Sequence, residues 1–126
     1  MSHNGWIGVD LDGTLAEYDR WRGTTHIGKP IPLMVERVKR WIEEGREVRI
    51  FTARVGGSVE EAKEAHPAIE AWVLQHIGCR LPITCVKDYG MVELWDDRAV
   101  QVIPNTGRTI SDELEAERSA RAGKGP

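Results

Sequence analysis

The chain has 126 residues, a formal net charge of −3 and a mean hydropathy of −0.40. This length favours one domain with its own core, and the slight acidity excludes a general attraction to nucleic acid. No apolar run approaches membrane-spanning length, and residues 1–4 lack signal-peptide features. Two cysteines are too few for a disulfide framework. We therefore expect a cytoplasmic protein with no membrane partner.

The first part of the chain predicts two strands separated by a long loop and a helix. Residues 6–11 form an apolar strand, and residues 15–31 are polar enough to form a flap loop. Pro32 suits the first turn of a helix that Gly45 ends. The apolar side chains between them recur at helical spacing. Residues 48–51 are then typical of a second strand.

The second part predicts one long helix and three further strands. Ser58 is a typical helix cap, and the apolar periodicity that follows it continues to Gly78. Pro67 interrupts this pattern, so we expect a kink or two helices. The tail, residues 111–126, is charged and alanine-rich and is expected to be weakly helical or disordered. The three strands are predicted at 82–86, 91–95 and 100–103.

The alternation of strands and helices predicts an α/β fold. We expect a three-layer, Rossmann-like domain over residues 1–110, with a mainly parallel sheet and helices on both faces. The flap interval is too short to hold a large cap domain. In such sheets the functional site lies at the carboxyl ends of the strands.

The most informative motif follows the first strand. Asp10 and Asp12 stand at alternate positions directly after an apolar run, and Gly13 and Thr14 follow them. Side chains at alternate strand positions share a face, and glycine favours a turn. Two carboxylates beside a turn with free N–H groups can hold Mg²⁺ and receive a phosphate.

Other polar residues also stand directly behind apolar runs. Thr52 follows the second strand, Lys87 the third, and Asp96 and Asp97 the fourth. If these strands are parallel, all of these side chains converge with Asp10 at one edge of the sheet.

Taken in this order, Asp-x-Asp-Gly-Thr, apolar-Thr, Lys and Asp-Asp resemble the motifs of the haloacid dehalogenase superfamily of phosphohydrolases. The resemblance covers residues 6–104. The segments around Thr52 and Asp96 are further similar to the phosphatase domain of phage polynucleotide kinase. The resemblance implies a Mg²⁺-dependent phosphomonoester hydrolase that forms an aspartyl-phosphate.

The resemblance also implies the catalytic roles. Asp10 would be the nucleophile, and Asp12 would protonate the leaving oxygen and then activate water. Thr52 would bind phosphoryl oxygens, and Lys87 would neutralise charge between the phosphate and Asp10.

The remaining implied roles concern the metal and the phosphate. Mg²⁺ would be bound by the carboxylates of Asp10 and Asp96, by the backbone carbonyl of Asp12, and by Asp97 through water. N–H groups near Gly13 and Ala53 would hold phosphoryl oxygens.

Lys87 departs from the expected pattern. Parallel neighbouring strands need a crossover of a dozen or more residues, yet only residues 88–90 separate Lys87 from the next predicted strand. Lys29 and Lys63 are therefore substitute candidates for the site lysine.

The flap and the absence of a cap favour a bulky substrate. Trp21 lies in the flap between two arginines, and with Arg54 it could contact bases and phosphates. The substrate is expected to be a phosphorylated small molecule, a nucleotide or a nucleic-acid end. The sequence carries no signal for an oligomeric state.

Two alternatives come from other functional classes. Phosphoacceptor receiver domains are signalling modules of similar size and chemistry, but their acid pair comes first and their acceptor later. Here Asp-x-Asp comes first and the acid pair last, which favours the hydrolase. The second alternative is a catalytically silent module that binds Mg²⁺ or phosphate.

Overall fold

The computed structural model describes residues 4–123 of the chain. Residues 1–3, part of the segment on which the signal-peptide prediction rests, and residues 124–126, at the end of the predicted tail, lie outside the described part. The elements in chain order are β1 (Trp6–Asp10), α1 (Pro32–Glu43), β2 (Glu47–Phe51), α2 (Val59–Ile77), β3 (Ile83–Thr84), β4 (Met91–Trp95) and α3 (Ile110–Gly123).

The four strands form one parallel sheet in the order β3-β2-β1-β4. Asp10, the last residue of β1, is paired with Phe51 at the end of β2, and Phe51 is paired with Thr84 at the end of β3. The carboxyl ends of these strands therefore share one edge of the sheet. The predicted α/β, Rossmann-like fold with a parallel sheet and no large cap domain is confirmed.

One face of the sheet carries the core. Side chains alternate along a strand, so Ile7 and Val9 point to the same face, where both are fully buried. Helices α1 and α2 contact each other and cover this face with their apolar sides. Residues three or four apart share one side of a helix. The helical core positions include Met34, Val38, Ile69 and Val73.

The opposite face carries Trp6, which is only 1% exposed. Asp88 accepts a hydrogen bond from Trp6 Nε1 at 2.8 Å, and the Arg49 guanidinium lies 4.5 Å from the Trp6 ring centre. These contacts place the β3–β4 connection, residues 85–90, against this face. The predicted fold has helices on both faces of the sheet. In residues 4–123, this connection and not a helix covers Trp6, because it is too short to contain a crossover helix.

Helix α2 runs through Pro67 without a break. Of the two predicted outcomes, a kink or two helices, the division into two helices does not occur. Proline lacks an N–H and forfeits one helical hydrogen bond, but burial of Ile69 and Val73 anchors the helix beyond it. The cap at Ser58 is as predicted, since its side chain accepts the Glu61 N–H at 3.1 Å.

The region after β4 differs from the sequence prediction. Residues 100–103 do not form a strand, and Val102 makes an isolated bridge to Thr109 instead. Val100 and Val102 are 71% and 50% exposed, so neither burial nor pairing with a described strand stabilises an extended backbone there. The predicted weakly helical tail is α3, which buries none of its side chains. In the described part of the chain, no helix is both long and apolar enough to cross a membrane.

The flap, residues 15–31, contains no helix or strand. Its two arms are joined at the base, where the Glu17 N–H donates to the Lys29 carbonyl at 2.8 Å. Trp72 of α2 donates from Nε1 to the Gly28 carbonyl at 2.9 Å. The flap is therefore a loop that is closed at its base and attached to α2.

Candidate functional site

Three carboxylates meet at the carboxyl edge of the sheet. Asp10 ends β1, and Asp96 and Asp97 directly follow β4, the parallel neighbour of β1. One oxygen from each of the three side chains lies within 4.8 Å of the others. Asp10 and Asp96 are half-buried, whereas Asp97 is exposed. The structure thus brings together the three side chains that were predicted as metal ligands, and we call them the aspartate cluster.

Thr14 links the two strand ends of this cluster. Its Oγ1 lies 3.2 Å from Asp10 Oδ2 and 3.2 Å from Asp97 Oδ1, and it accepts the Asp97 backbone N–H at 2.9 Å. A hydroxyl has one proton, so it donates to one carboxylate at a time. No role was predicted for Thr14. Its position directly after Gly13 in the motif is the sequence signal that could have identified it as a site residue.

Burial, together with neighbouring carboxylates, raises the pKa of Asp10 to about 7. Burial is the largest cause, followed by the hydrogen bond with Asp97 and the negative charge of Asp96. The metal-free cluster therefore binds a proton near neutral pH. A divalent cation among these oxygens would favour the ionised form instead.

The Asp12 side chain is paired with Arg54 rather than with the aspartate cluster. Arg54 lies in a short 3₁₀ turn after β2, where its backbone N–H donates to Thr52 Oγ1 at 3.2 Å. Its Nε and Nη2 donate to the two carboxylate oxygens of Asp12 at 2.7 and 2.9 Å. This bidentate pair fixes the orientation of the Asp12 carboxylate.

A cavity of about 390 Å³ opens beside the aspartate cluster. Thr52, only 2% exposed, lines it together with Ala53 and two flap residues, Tyr18 and Trp21. The Trp21 ring centre lies 5.0 Å from the Arg54 guanidinium carbon, and Trp21 is 53% exposed. The cavity thus unites most of the predicted site residues, namely Asp10, Asp12, Thr52, Ala53, Arg54, Trp21, Asp96 and Asp97.

Lys87 does not line this cavity. It is exposed and adjoins Asp88, which is bound to Trp6 at the start of β1. Asp10 stands at the other end of that strand, which corresponds to about 13 Å along β1. The predicted position of Lys87 in the site is therefore not observed.

Arg98 and Glu61 line the cavity, although neither was predicted as a site residue. The Arg98 backbone N–H donates to Asp96 Oδ1 at 2.8 Å, which ties it to the aspartate cluster. Among residues 4–123, no ion pair or side-chain hydrogen bond engages the Arg98 guanidinium. Its place directly after the acid pair is the sequence signal that could have identified it.

Gly13 shapes the cluster by having no side chain. Its φ is +90°, and an added Cβ would lie 2.5 Å from Asp97 Oδ2. Its N–H donates to the Ala16 carbonyl at 2.8 Å. The Gly13 N–H itself is therefore engaged within the turn, and the absence of a side chain makes room for the Asp97 carboxylate.

We expect Gly13→Ala to weaken Mg²⁺ binding by displacing the Asp97 carboxylate. The matched control is Gly45→Ala, because Gly45 has a φ of +79° but no atom within 4 Å of the added Cβ. Both variants should lose about 1–3 kcal/mol of unfolding free energy through backbone strain. Only Gly13→Ala should lose part of the Mg²⁺-induced rise in melting temperature. Equal Mg²⁺ responses in the two variants would contradict this role of Gly13.

Comparisons with known proteins support the fold. No protein-family profile and no curated protein matches the chain. The chain is similar to a solved structure described as a conserved protein coded by a locus from Bacteroides thetaiotaomicron, with 25% sequence identity and a TM-score of 0.53. The similarity covers 98% of this chain and 99% of that one, so the two proteins share the fold along their length.

Proposed function

We propose that the protein is a Mg²⁺-dependent phosphomonoester hydrolase that uses Asp10 as its nucleophile. The observation that carries this proposal is the meeting of Asp10, Asp96 and Asp97 oxygens within 4.8 Å, at a cavity that Thr52 also lines. A carboxylate nucleophile, a cation site and a hydroxyl donor are the groups that phosphoryl transfer requires.

The donor set fits Mg²⁺. Magnesium prefers oxygen ligands in an octahedral arrangement and retains several water molecules. Two half-buried carboxylates and one exposed carboxylate offer such oxygens, with Asp97 open to solvent. When bound, Mg²⁺ would neutralise the cluster and polarise a phosphoryl oxygen.

The need for a cation also follows from the charge of the cavity. Its lining includes five acidic side chains and only two arginines, one of which is paired with Asp12. Two unit charges 4 Å apart repel by about 4 kcal/mol at an effective dielectric constant of 20. A phosphate dianion would therefore be repelled by the metal-free site.

The chemistry proceeds through two displacements. Asp12 enters the first displacement as the carboxylic acid. An Asp10 carboxylate oxygen attacks phosphorus, the bond to the ester oxygen breaks, and the leaving oxygen takes the proton of Asp12. A water molecule then attacks phosphorus, gives its proton to Asp12, and breaks the bond to Asp10. Inorganic phosphate leaves and both carboxyl groups return to their starting states.

Thr52 and Arg98 are the groups we assign to phosphate binding. The Thr52 hydroxyl accepts a bond from Arg54 and keeps its own proton for a phosphoryl oxygen. The Arg98 guanidinium lines the cavity and takes the charge-neutralising role that was predicted for Lys87.

We propose that the substrate presents its phosphate from a bulky or aromatic body. Trp21 and Tyr18, 53% and 43% exposed, face the cavity from the flap, and an aromatic ring offers a surface on which a base can stack. Nucleotides and nucleic-acid ends fit this description.

Both cysteines are unpaired, which supports a reducing cytoplasm as the place of action.

The test is hydrolysis of 4-nitrophenyl phosphate by the wild-type protein. We expect turnover with Mg²⁺ and none with EDTA, followed by faster turnover of a phosphorylated nucleotide or oligonucleotide in a substrate panel. Stable phosphorylation of the protein without turnover would indicate the receiver-like alternative. Mg²⁺ binding with neither phosphorylation nor turnover would indicate a silent binding module, and either result would end the hydrolase proposal.

A further inference from the structure

Arg54 is a buried cation between the flap and the Asp-x-Asp turn. Its side chain is only 5% exposed, and that of its partner Asp12 is 21% exposed. A charge in such a position is retained only if its hydrogen-bonding capacity is satisfied. The acceptors that satisfy it come from two segments of the chain.

All five N–H hydrogens of the Arg54 guanidinium have acceptors. Two of them reach Asp12, as described above. The other three reach backbone carbonyls of the flap, with Nη2 donating to His26 at 2.8 Å and Nη1 donating to Thr24 at 3.1 Å and Gly23 at 3.5 Å. An arginine has five such hydrogens, so none is left to bind a phosphate in this conformation.

We infer that Arg54 is a positioning residue that couples the flap to Asp12. One guanidinium plane fixes the orientation of the Asp12 carboxylate and the path of residues 23–26 at the same time. Trp21, which stacks over this guanidinium, is held over the cavity by the same group. The predicted direct contact between Arg54 and substrate is replaced by this indirect role.

The consequence for chemistry rests on the proposed hydrolase function. Asp12 protonates the leaving oxygen, and an alkoxide needs that proton far more than 4-nitrophenolate does. A variant that lets the Asp12 carboxylate rotate should therefore impair alkyl phosphates more than 4-nitrophenyl phosphate. A general loss of folded protein would reduce the activity on both esters by the same factor.

Arg54→Lys is the test variant, because lysine keeps the positive charge but loses the planar fork. We expect kcat/KM for an alkyl phosphate to fall at least ten times further than kcat/KM for 4-nitrophenyl phosphate. Arg49→Lys is the matched control, since Arg49 packs on Trp6 away from the cavity. This control should not change the ratio of the two kcat/KM values.

Limited trypsin digestion tests whether Arg54 holds the flap in place, and it does not require an activity measurement. Arg20 and Arg22 lie in the exposed part of the flap. Cleavage after them should be at least about five times faster in Arg54→Lys than in Arg49→Lys. Asp12→Asn, for which only the digestion rate is measured, should also accelerate cleavage. This variant replaces Arg54→Lys in the test if Arg54→Lys does not fold.

The outcomes separate the two proposals. A wild-type protein that lacks phosphatase activity overturns the proposed function, whereas unchanged digestion in both Arg54→Lys and Asp12→Asn overturns the coupling. An active enzyme in which Arg54→Lys impairs both esters equally also overturns the coupling and leaves the hydrolase proposal intact.

Discussion

Asp10→Asn is expected to abolish phosphate ester hydrolysis and, at the same time, to stabilise the metal-free protein. The amide cannot act as the nucleophile, so kcat/KM should fall by at least about 10³-fold. The side chain keeps its shape and its place at the end of β1, so the structure itself gives no reason for unfolding. The measurement is 4-nitrophenyl phosphate turnover together with thermal unfolding in EDTA.

The stability gain follows from the direction of the pKa shift. The folded protein raises the pKa of Asp10 from 3.8 to about 7, so folding is favoured when this group is protonated. That contribution is present below pH 3.8 and is lost as the pH rises toward 7. At pH 8 a neutral asparagine should therefore add at least about 1 kcal/mol, a value discounted for the solvent screening of a half-buried group, or about 4 °C in melting temperature. The gain should shrink as the pH falls and vanish near pH 4.

Asp88→Asn is the matched control, because the pKa of Asp88 is shifted in the opposite direction and the expected change in stability has the opposite sign. The hydrogen bond from Trp6 Nε1, helped by the Gly90 N–H and by Arg49, lowers the pKa of Asp88. This contribution to stability is present above the pKa of the unfolded chain and is lost as the pH falls through the folded pKa. Asp88→Asn should lower the melting temperature at pH 8 and leave hydrolysis unchanged. Destabilisation by Asp10→Asn at pH 8 would contradict the crowding argument.

The sheet was predictable because its strands are marked by local patterns. The apolar runs that became β1, β2 and β4 each end on polar residues, and parallel order then places Asp10, Thr52 and Asp96 at one edge. The predicted strand at 100–103 was wrong because β-forming residues alone do not make a strand. Val100 and Val102 have the required side chains, but no neighbouring strand pairs with this segment.

The roles of cations at the site were harder to predict. The position of Arg54 shortly after Thr52 indicates a site residue, but its hydrogen-bond acceptors lie 28–42 positions away in the chain. Local sequence periodicity does not predict contacts at such a separation. Lys87 has the expected order in the sequence, yet the length of its connection decides where it lies. Spacing therefore located the carboxylates, which follow strands directly, better than the basic residues, which stand in loops and turns.

Mg²⁺ is expected to stabilise the protein through the aspartate cluster, and more strongly at pH 8 than at pH 6. A ligand at one hundred times its Kd adds about 2.7 kcal/mol, which corresponds to about 10 °C for a chain of this length. Binding must displace the proton from Asp10, whose pKa is about 7. The apparent Kd should therefore be about tenfold weaker at pH 6 than at pH 8.

Asp96→Asn tests whether this effect belongs to the cluster. Asp96 and Asp10 are the half-buried carboxylates of the set, so loss of the Asp96 charge should remove most of the Mg²⁺-induced shift in melting temperature. Asp88→Asn, which changes an acid on the other face of the sheet, should keep the full shift. Because the negative charge of Asp96 also raises the pKa of Asp10, Asp96→Asn should stabilise the metal-free protein at pH 8. An Asp96→Asn protein that responds to Mg²⁺ as the wild type does would place the cation elsewhere.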